Sequence, residues 1–339
     1  MKIMKVNILL LILFSTFQSI IFGQQKVKTE NGKSVLLYDD VTWVYSDSTA
    51  VKDVFFASSS KLELPKIKSQ DSIIFHAGYS FLYNETHEQA NWVAYELTEK
   101  ETNKLFDRTD KFMLDPKVIS ETACDKDYEG SGYDRGHLAP AADMGWSAEA
   151  MAESFYYSNM SPQTPSFNRG IWKKLEELVR SWAIENESIF IVTGPILSDG
   201  LKTIGEDKVS IPNYYYKVIL DYKEPNVKGI GFILPNLGSK EKLQFYAVSI
   251  DSVEKLTGID FYPLLPNSEE ELIEKTVCIE CWTWDSKKIN YENSEILSEA
   301  VQCSGITKSQ EKCKNKTTNP TGFCTVHQSQ YSSERKKGN

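Results

Sequence analysis

Histidine is scarce in this chain: the 339 residues contain four, His76, His87, His137 and His327. No second imidazole lies near His137, so a metal beside it would have to find other donors. Positive charge is short as well. Lys and Arg number 38 against 47 Asp and Glu, for a formal net charge of −9. That argues against a basic coat for nucleic acid, although a local basic cleft remains open because binding follows the local field. After Phe22 no run is apolar enough to cross a bilayer, so no stable membrane association is expected. No fixed-period repeat is visible. Cysteines number six and are unevenly placed: Cys124 stands alone, Cys278 and Cys281 form a C-x-x-C, and Cys303, Cys313 and Cys324 crowd the C-terminus.

What is present has the apolar content, 41%, of an ordinary globular protein with room for one large domain and small appendages. Residues 1–23 place Lys2 and Lys5 before an apolar run ending in Phe22-Gly23, the layout of a secretory signal. The expected destination is secreted or periplasmic. Residues 24–50 alternate around Asn31-Gly32 and Asp39-Asp40, as a small β meander would. A polar linker is expected over 51–70, a main domain over 71–285, a second linker over 286–300, a Cys-rich module over 301–328 and a polar tail over 329–339. Within the main domain the patterning predicts strands over 91–97, 188–197, 214–222 and 227–235, with helices over 149–157, 169–185 and 251–257. Strands with helices between them imply an α+β fold with a largely antiparallel sheet flanked by helices.

The chemistry concentrates in Asp134-Arg135-Gly136-His137. An imidazole can take a proton from water near neutral pH. A neighbouring cation, here Arg135, would keep it neutral and basic, and a guanidinium matches two phosphate oxygens. Gly136 lets backbone approach a ligand or take a positive φ. These parts suit attack by water on a phosphodiester. Downstream, Ile171, Leu175, Leu178 and Trp182 recur at helical spacing as a buried stripe. Asn168, Trp172, Glu176 and Arg180, spaced by four, form a second stripe beside it, whose blander reading is an amphipathic edge with a Glu176–Arg180 ion pair. Magnesium suits an amide and a carboxylate, because it takes oxygen ligands and keeps several waters.

Asp134-Arg135-Gly136-His137, followed by Asn159-x-x-Pro162-Gln163, Asn168, Trp172, Leu175-Glu176 and Arg180, resembles the DNA/RNA non-specific endonuclease family over roughly residues 75–280. The resemblance implies a ββα-metal fold and a hydrolase of DNA and RNA with little sequence preference, leaving 5′-phosphate and 3′-hydroxyl ends. It implies His137 as general base, Asn168 as the direct protein ligand of magnesium (manganese being the alternative ion), and Glu176 as the residue orienting the metal's waters. Arg135 and Arg180 would stabilise the transition state. Asp134 and Asn159 would position the loop and the water shell. Two other readings stand beside it: a nucleic-acid-binding protein on the same fold without catalysis, and a phosphodiesterase of small diesters.

His76 and His87 read as structural or surface residues. In Tyr214-Tyr215-Tyr216, strand alternation sends Tyr215 to one face and its neighbours to the other, which weakens a base-stacking reading. The pattern C-x9-C-x10-C-x2-H, Cys303, Cys313, Cys324 and His327, makes a complete tetrahedral zinc set. One disulfide among the three cysteines is the competing reading, and Cys278–Cys281 reads as a short-loop disulfide.

Overall fold

The structure is a computed structural model that describes residues 61–120, 122–285, 301–307, 309–317, 322–327 and 330, and the strands within 24–45. The expected secretory segment, the first half of the first linker, the second linker and the last nine residues lie outside the described residues. Residues 24–45 carry three antiparallel strands, β1 (Gln24–Lys28), β2 (Ser34–Tyr38) and β3 (Trp43–Tyr45), in that spatial order. They belong to a unit spanning Met1–Lys61, and the rest of the chain forms the unit Leu62–Asn339.

The larger unit opens with β4 (Ile73–Phe75), β5 (Ser80–Asn84) and β6 (Gln89–Thr98). Next come α1 (Asp125–Tyr128), β7 (Asp134–His137), α2 (Ala148–Glu153), β8 (Met160–Gln163), α3 (Lys173–Glu185) and β9 (Ser188–Pro195). A short pair, β10 (Thr203–Ile204) and β11 (Val209–Ser210), precedes β12 (Tyr214–Asp221), β13 (Lys228–Pro235) and β14 (Ala247–Val248). Helices α4 (Ile250–Thr257) and α5 (Asn267–Lys275) follow, and β15 (Val301–Gln302) pairs with β16 (Lys316–Thr317) near the C-terminus. Seven strands form one sheet in the order β14-β13-β12-β9-β6-β5-β4, antiparallel throughout. The fold is therefore α+β with an antiparallel central sheet.

Alternation along the central strands divides the core in two, because successive side chains leave a strand on opposite faces. Val93, Tyr95, Ile189, Ile191, Tyr215 and Ile219 face a cluster that includes Ile171, Leu175, Leu178 and Trp182, the stripe on and just before α3. Trp92, Ala94, Val192, Tyr216, Val218 and Leu220 face the other way, against Ile250 and Val253 of α4, Ile273 of α5, and Phe261 and Tyr262. In the tyrosine run, Tyr215 and Tyr216 are fully buried on opposite faces and only Tyr214 is exposed, so two of the three rings are spent on packing.

Two helices run differently from the sequence reading. The helix expected over 149–157 stops at Glu153. The helix expected over 169–185 becomes regular only at Lys173, because Phe167–Trp172 is a wide turn in which Gly170 leaves the helical conformation at φ −110 and ψ −109. Helix α5 has no counterpart in the sequence reading. No helix among the described residues is long and apolar enough to cross a membrane.

Candidate active site

Strands β7 and β8 form an antiparallel hairpin with Asp134 opposite Gln163, Gly136 opposite Ser161 and His137 opposite Met160. The chain then turns through 167–172 into α3, so the unit reads strand, strand, helix. Gly136 serves a different purpose from the one its sequence context suggests. Its φ lies outside the left-handed region, and a Cβ there would sit 2.1 Å from Cδ of the buried Gln163 side chain. The glycine makes room for a neighbour rather than for a ligand.

His137 ends β7 as a buried residue whose Nε2 has no hydrogen-bond partner among the described residues. Its ring meets Phe155 edge-on at 4.9 Å between centroids. Burial pushes the imidazole down to about 3, and the charge of Arg108 adds to the push. The cation that acts on His137 is thus Arg108, whose guanidinium lies 4.9 Å from the Phe155 ring centre and whose Nε donates to the exposed Asp110 Oδ1 at 2.5 Å. Arg135, the residue the sequence singles out, is turned elsewhere: Nη2 donates to Asp125 Oδ1 at 2.6 Å and Nε to the Tyr157 hydroxyl at 3.0 Å. Its guanidinium also lies over the rings of Phe112 and Tyr128. Arg135 can brace the strand and hold a side of the site, but its charge is already partnered.

Asn159 is fully buried and spends its whole amide on backbone. Nδ2 donates to the carbonyls of Ala139 and Ser154 at 2.9 and 2.8 Å, and Oδ1 accepts from the Ala139 N–H at 2.9 Å. Its own carbonyl accepts from Leu138 N–H. It therefore clamps the two residues after His137. A metal's water shell would find no free group on it.

Asn168 comes from the wide turn, not from regular helix. Its Nδ2 donates to Asp134 Oδ2 at 2.9 Å, three residues before His137 on the same strand. Among the described residues no hydrogen bond reaches its Oδ1, so the amide is held by its nitrogen with the oxygen left as a donor for a metal. Asp134 is fully engaged: Arg169, exposed, grips it through Nε and Nη2 at 2.8 and 2.6 Å. The sequence reading did not single out Arg169.

On α3, Glu176 and Arg180 do not pair with each other. Arg180 Nη1 donates instead to Asp143 Oδ1 at 2.7 Å, and Tyr95 donates to Oδ2 of the same buried carboxylate at 2.8 Å. Glu176 makes no hydrogen bond among the described residues. Burial pushes its carboxyl up to about 7; Lys217, Arg180 and Arg108 pull it back toward the charged form, and Asp143 opposes them. Lys217, fully buried on β12 with Nζ 5.0 Å from the Trp172 ring centre, is pushed down to about 8 by burial, while Glu176 holds it up. Arg108 is the common link, since its charge is felt at both His137 and Glu176.

The arrangement thus joins a neutral imidazole, an amide oxygen, a carboxylate without a hydrogen-bond partner, and the cations Arg108 and Arg180. Asn168 Oδ1 and Glu176 are oxygen donors of the kind magnesium takes, so the donor set fits a divalent cation. Arg108, Asp143 and Lys217 were missed by sequence reasoning. Asp143 had a signal, lying in the same motif stretch as His137; the other two had none. His76 and His87 are structural in their contacts. His76 bridges Asp115 and Glu153 at 2.8 and 3.0 Å, and His87 Nδ1 meets Ser210 Oγ at 2.8 Å. Elsewhere, Cys278 and Cys281 form a disulfide, Cys124 is free, and Cys303, Cys313, Cys324 and His327 gather their ligand atoms within 4.8 Å of one another, a set able to hold a metal ion.

Comparison with known proteins converges on one group. The family model described as DNA/RNA non-specific endonuclease matches residues 59–268. Mitochondrial nuclease EXOG of Danio rerio is 34% identical over 236 residues, 64% of this chain and 67% of that protein. The Mus musculus protein of the same name is 36% identical over 58% of each chain. Nuclease C1 of Cunninghamella echinulata var. echinulata is 37% identical over 59% of this chain and 86% of its own length. Among solved structures, the EndoG/EndoGI complex aligns with TM-score 0.57 and 26% identity, over 66% of this chain and 95% of the solved one.

Proposed function

Because this chain belongs to the DNA/RNA non-specific endonuclease family, we propose that it is an exported, magnesium-dependent endonuclease that hydrolyses phosphodiester bonds of DNA and RNA and leaves 5′-phosphate ends. The observation that carries this reading is geometric: β7 carries His137 with an unpartnered Nε2 and, three residues earlier, Asp134, which holds the Asn168 amide by its nitrogen and leaves Oδ1 open.

His137 accepts the proton of the attacking water: burial keeps its lone pair free but weakens it as a base, and the negative charge of a bound phosphate raises that basicity toward neutral pH. Arg108 and Arg180 hold the negative charge that builds on the phosphate, and Asp143 keeps Arg180 aimed. Asn168 Oδ1 would hold the magnesium ion, which would supply Lewis-acid charge at the phosphate. Glu176 would accept hydrogen bonds from that ion's waters. Asp134 fixes the Asn168 amide, and Asn159 fixes the backbone behind His137. Contacts of this type grip phosphate rather than base edges, which favours weak sequence selectivity. Export rests on the character of residues 1–23.

A plasmid-nicking and RNA-digestion assay with magnesium tests the activity. Cleavage of both polymers that stops with EDTA and yields 5′-phosphorylated ends is expected. Cleavage of small diesters alone would favour the phosphodiesterase reading, and binding without cleavage the catalytically silent one. His137→Ala should lower cleavage by roughly 100- to 10,000-fold while leaving circular dichroism and DNA binding unchanged. A near wild-type rate in that variant would remove His137 as the base.

A further inference from the structure

We propose that the C-terminal segment from Cys303 to His327 holds one structural zinc ion through Cys303, Cys313, Cys324 and His327. This site lies outside residues 59–268, the stretch matched to the nuclease family, and owes nothing to the phosphodiester chemistry.

Geometry argues for it first. Cys313 and Cys324 sulfurs are 3.8 Å apart, Cys303 Sγ is 3.7 Å from His327 Nδ1, and Cys324 Sγ is 3.3 Å from the same nitrogen. A tetrahedron with Zn–S near 2.3 Å and Zn–N near 2.0 Å has S···S edges of about 3.8 Å and S···N edges of about 3.5 Å. A disulfide would need sulfurs about 2.05 Å apart, and all three cysteines are free even though Cys278 and Cys281 are bonded.

The surroundings suit thiolates. Backbone N–H groups of Gly305 and Cys324 point at Cys303 Sγ at 3.3 and 3.1 Å, and that of Asn315 at Cys313 Sγ at 3.5 Å. Such donors stabilise sulfur carrying negative charge, as second-sphere groups do around metals. Gly305 is required for a different reason: a Cβ there would lie 2.4 Å from Cβ and Cγ of His327, so only glycine lets the imidazole close on the sulfurs.

Folding energetics points the same way. All four candidate ligands are buried, and among the described residues the buried apolar side chains of this segment are the three cysteines and Phe323. Among its described residues the regular structure is one two-residue ladder, β15 with β16, one bridge between Ile306 and Lys312, and one 3-10 turn, Thr325–His327. A segment this short cannot bury enough carbon to order itself, and metal binding supplies the missing free energy. Four protein ligands close the sphere, which makes the ion structural rather than catalytic. Thiolate and imidazole donors select zinc over magnesium or calcium.

The test uses the full chain, expressed with zinc and purified without chelator. Elemental analysis should find about one zinc per chain, released by a mercurial thiol reagent and detected with a zinc dye. Cys313→Ser and His327→Ala should each lose it. Cobalt substituted for zinc should give the intense visible bands of a tetrahedral site together with thiolate charge-transfer absorption, a readout that does not depend on any variant folding. Absence of zinc, a weak octahedral cobalt spectrum, or unreduced peptides linking two of Cys303, Cys313 and Cys324 would each overturn the proposal.

Discussion

His137 and Arg135 are neighbours in sequence, yet the charge that acts on the imidazole comes from Arg108. Sequence adjacency gives no direction. Arg135 finds Asp125 and Tyr157 within reach, while Arg108, paired with the exposed Asp110, lies against the same Phe155 ring that His137 meets, in a segment without any motif. The motif therefore reveals the base but not its electrostatic partner. Arg108→Ala should lower cleavage by roughly 100-fold or more, the scale for losing one preorganised positive group. Because the Arg108 charge depresses the imidazole, the same substitution should move the His137 titration, followed by NMR, upward toward its ordinary value. An unmoved titration would separate Arg108 from the base. Gly136 is a second case of a correct residue read with the wrong reason. Gly136→Ala forces a methyl into the buried Gln163 side chain and should destabilise the protein by about 1–3 kcal/mol in urea unfolding, with reduced activity because the hairpin carrying Asp134 and His137 must shift.

At the level of elements, α3 was legible because its buried stripe repeats at helical spacing. The hairpin was implied only by the family resemblance, because β7 and β8 are four residues each, too short to show alternation, and their sequence reads as loop. The turn into the helix was not legible either. Gly170 inside an otherwise helical pattern was absorbed into the helix, so Asn168 was assigned to a regular turn that Phe167–Trp172 does not make. What supports the hairpin from below was also invisible, since His76, Asp115 and Glu153 lie far apart in the chain. Their triad ties the end of β4, the 113–118 loop and α2 together next to the segment holding Asn159. Burial alone would push His76 down, yet its bonds to Asp115 and Glu153 carry it above the ordinary value of 6.5. Burial alone would raise the two carboxyls, yet their bonds to His76 and to nearby donors hold both below 3.8 and 4.5. The imidazolium contribution is complete below pH 6.5 and fades as pH rises through the raised His76 value. The carboxylate contributions are complete above 4.5 and fade as pH falls through the depressed ones. The stability gap between wild type and His76→Ala should therefore peak between about pH 4.5 and 6.5, at about 3 kcal/mol or more, and narrow on both sides. A gap independent of pH would mean the triad is not ionised.

For the whole molecule, the central sheet separates two tasks. The motif residues, α3 and Lys217 lie with one face, and α4 and α5 cover the other. The second layer was only half legible: α4 shows an apolar stripe, whereas α5 buries little beyond Ile273 in a run of glutamates that reads as solvated surface. That layer contains a buried carboxyl with no role in the chemistry. Glu274 is 7% exposed, its Oε1 has no hydrogen-bond partner among the described residues, and Asp251 and Glu254 lie close by. Burial pushes it up to about 8, and the charges of Glu254, Glu270, Asp251 and Asp260 push in the same direction. A carboxyl raised in the folded state binds a proton that the unfolded chain has already released, so stability falls as pH rises from 4.5 to about 8 and then levels off. Glu274→Gln removes that loss. It should match wild type near pH 4, gain about 1–3 kcal/mol by pH 8, and leave cleavage unchanged because the sheet stands between it and His137. A variant that gained stability equally at pH 4 and pH 8 would show that the carboxyl is not the titrating group, and one that lost activity would show that the two layers are coupled through the sheet.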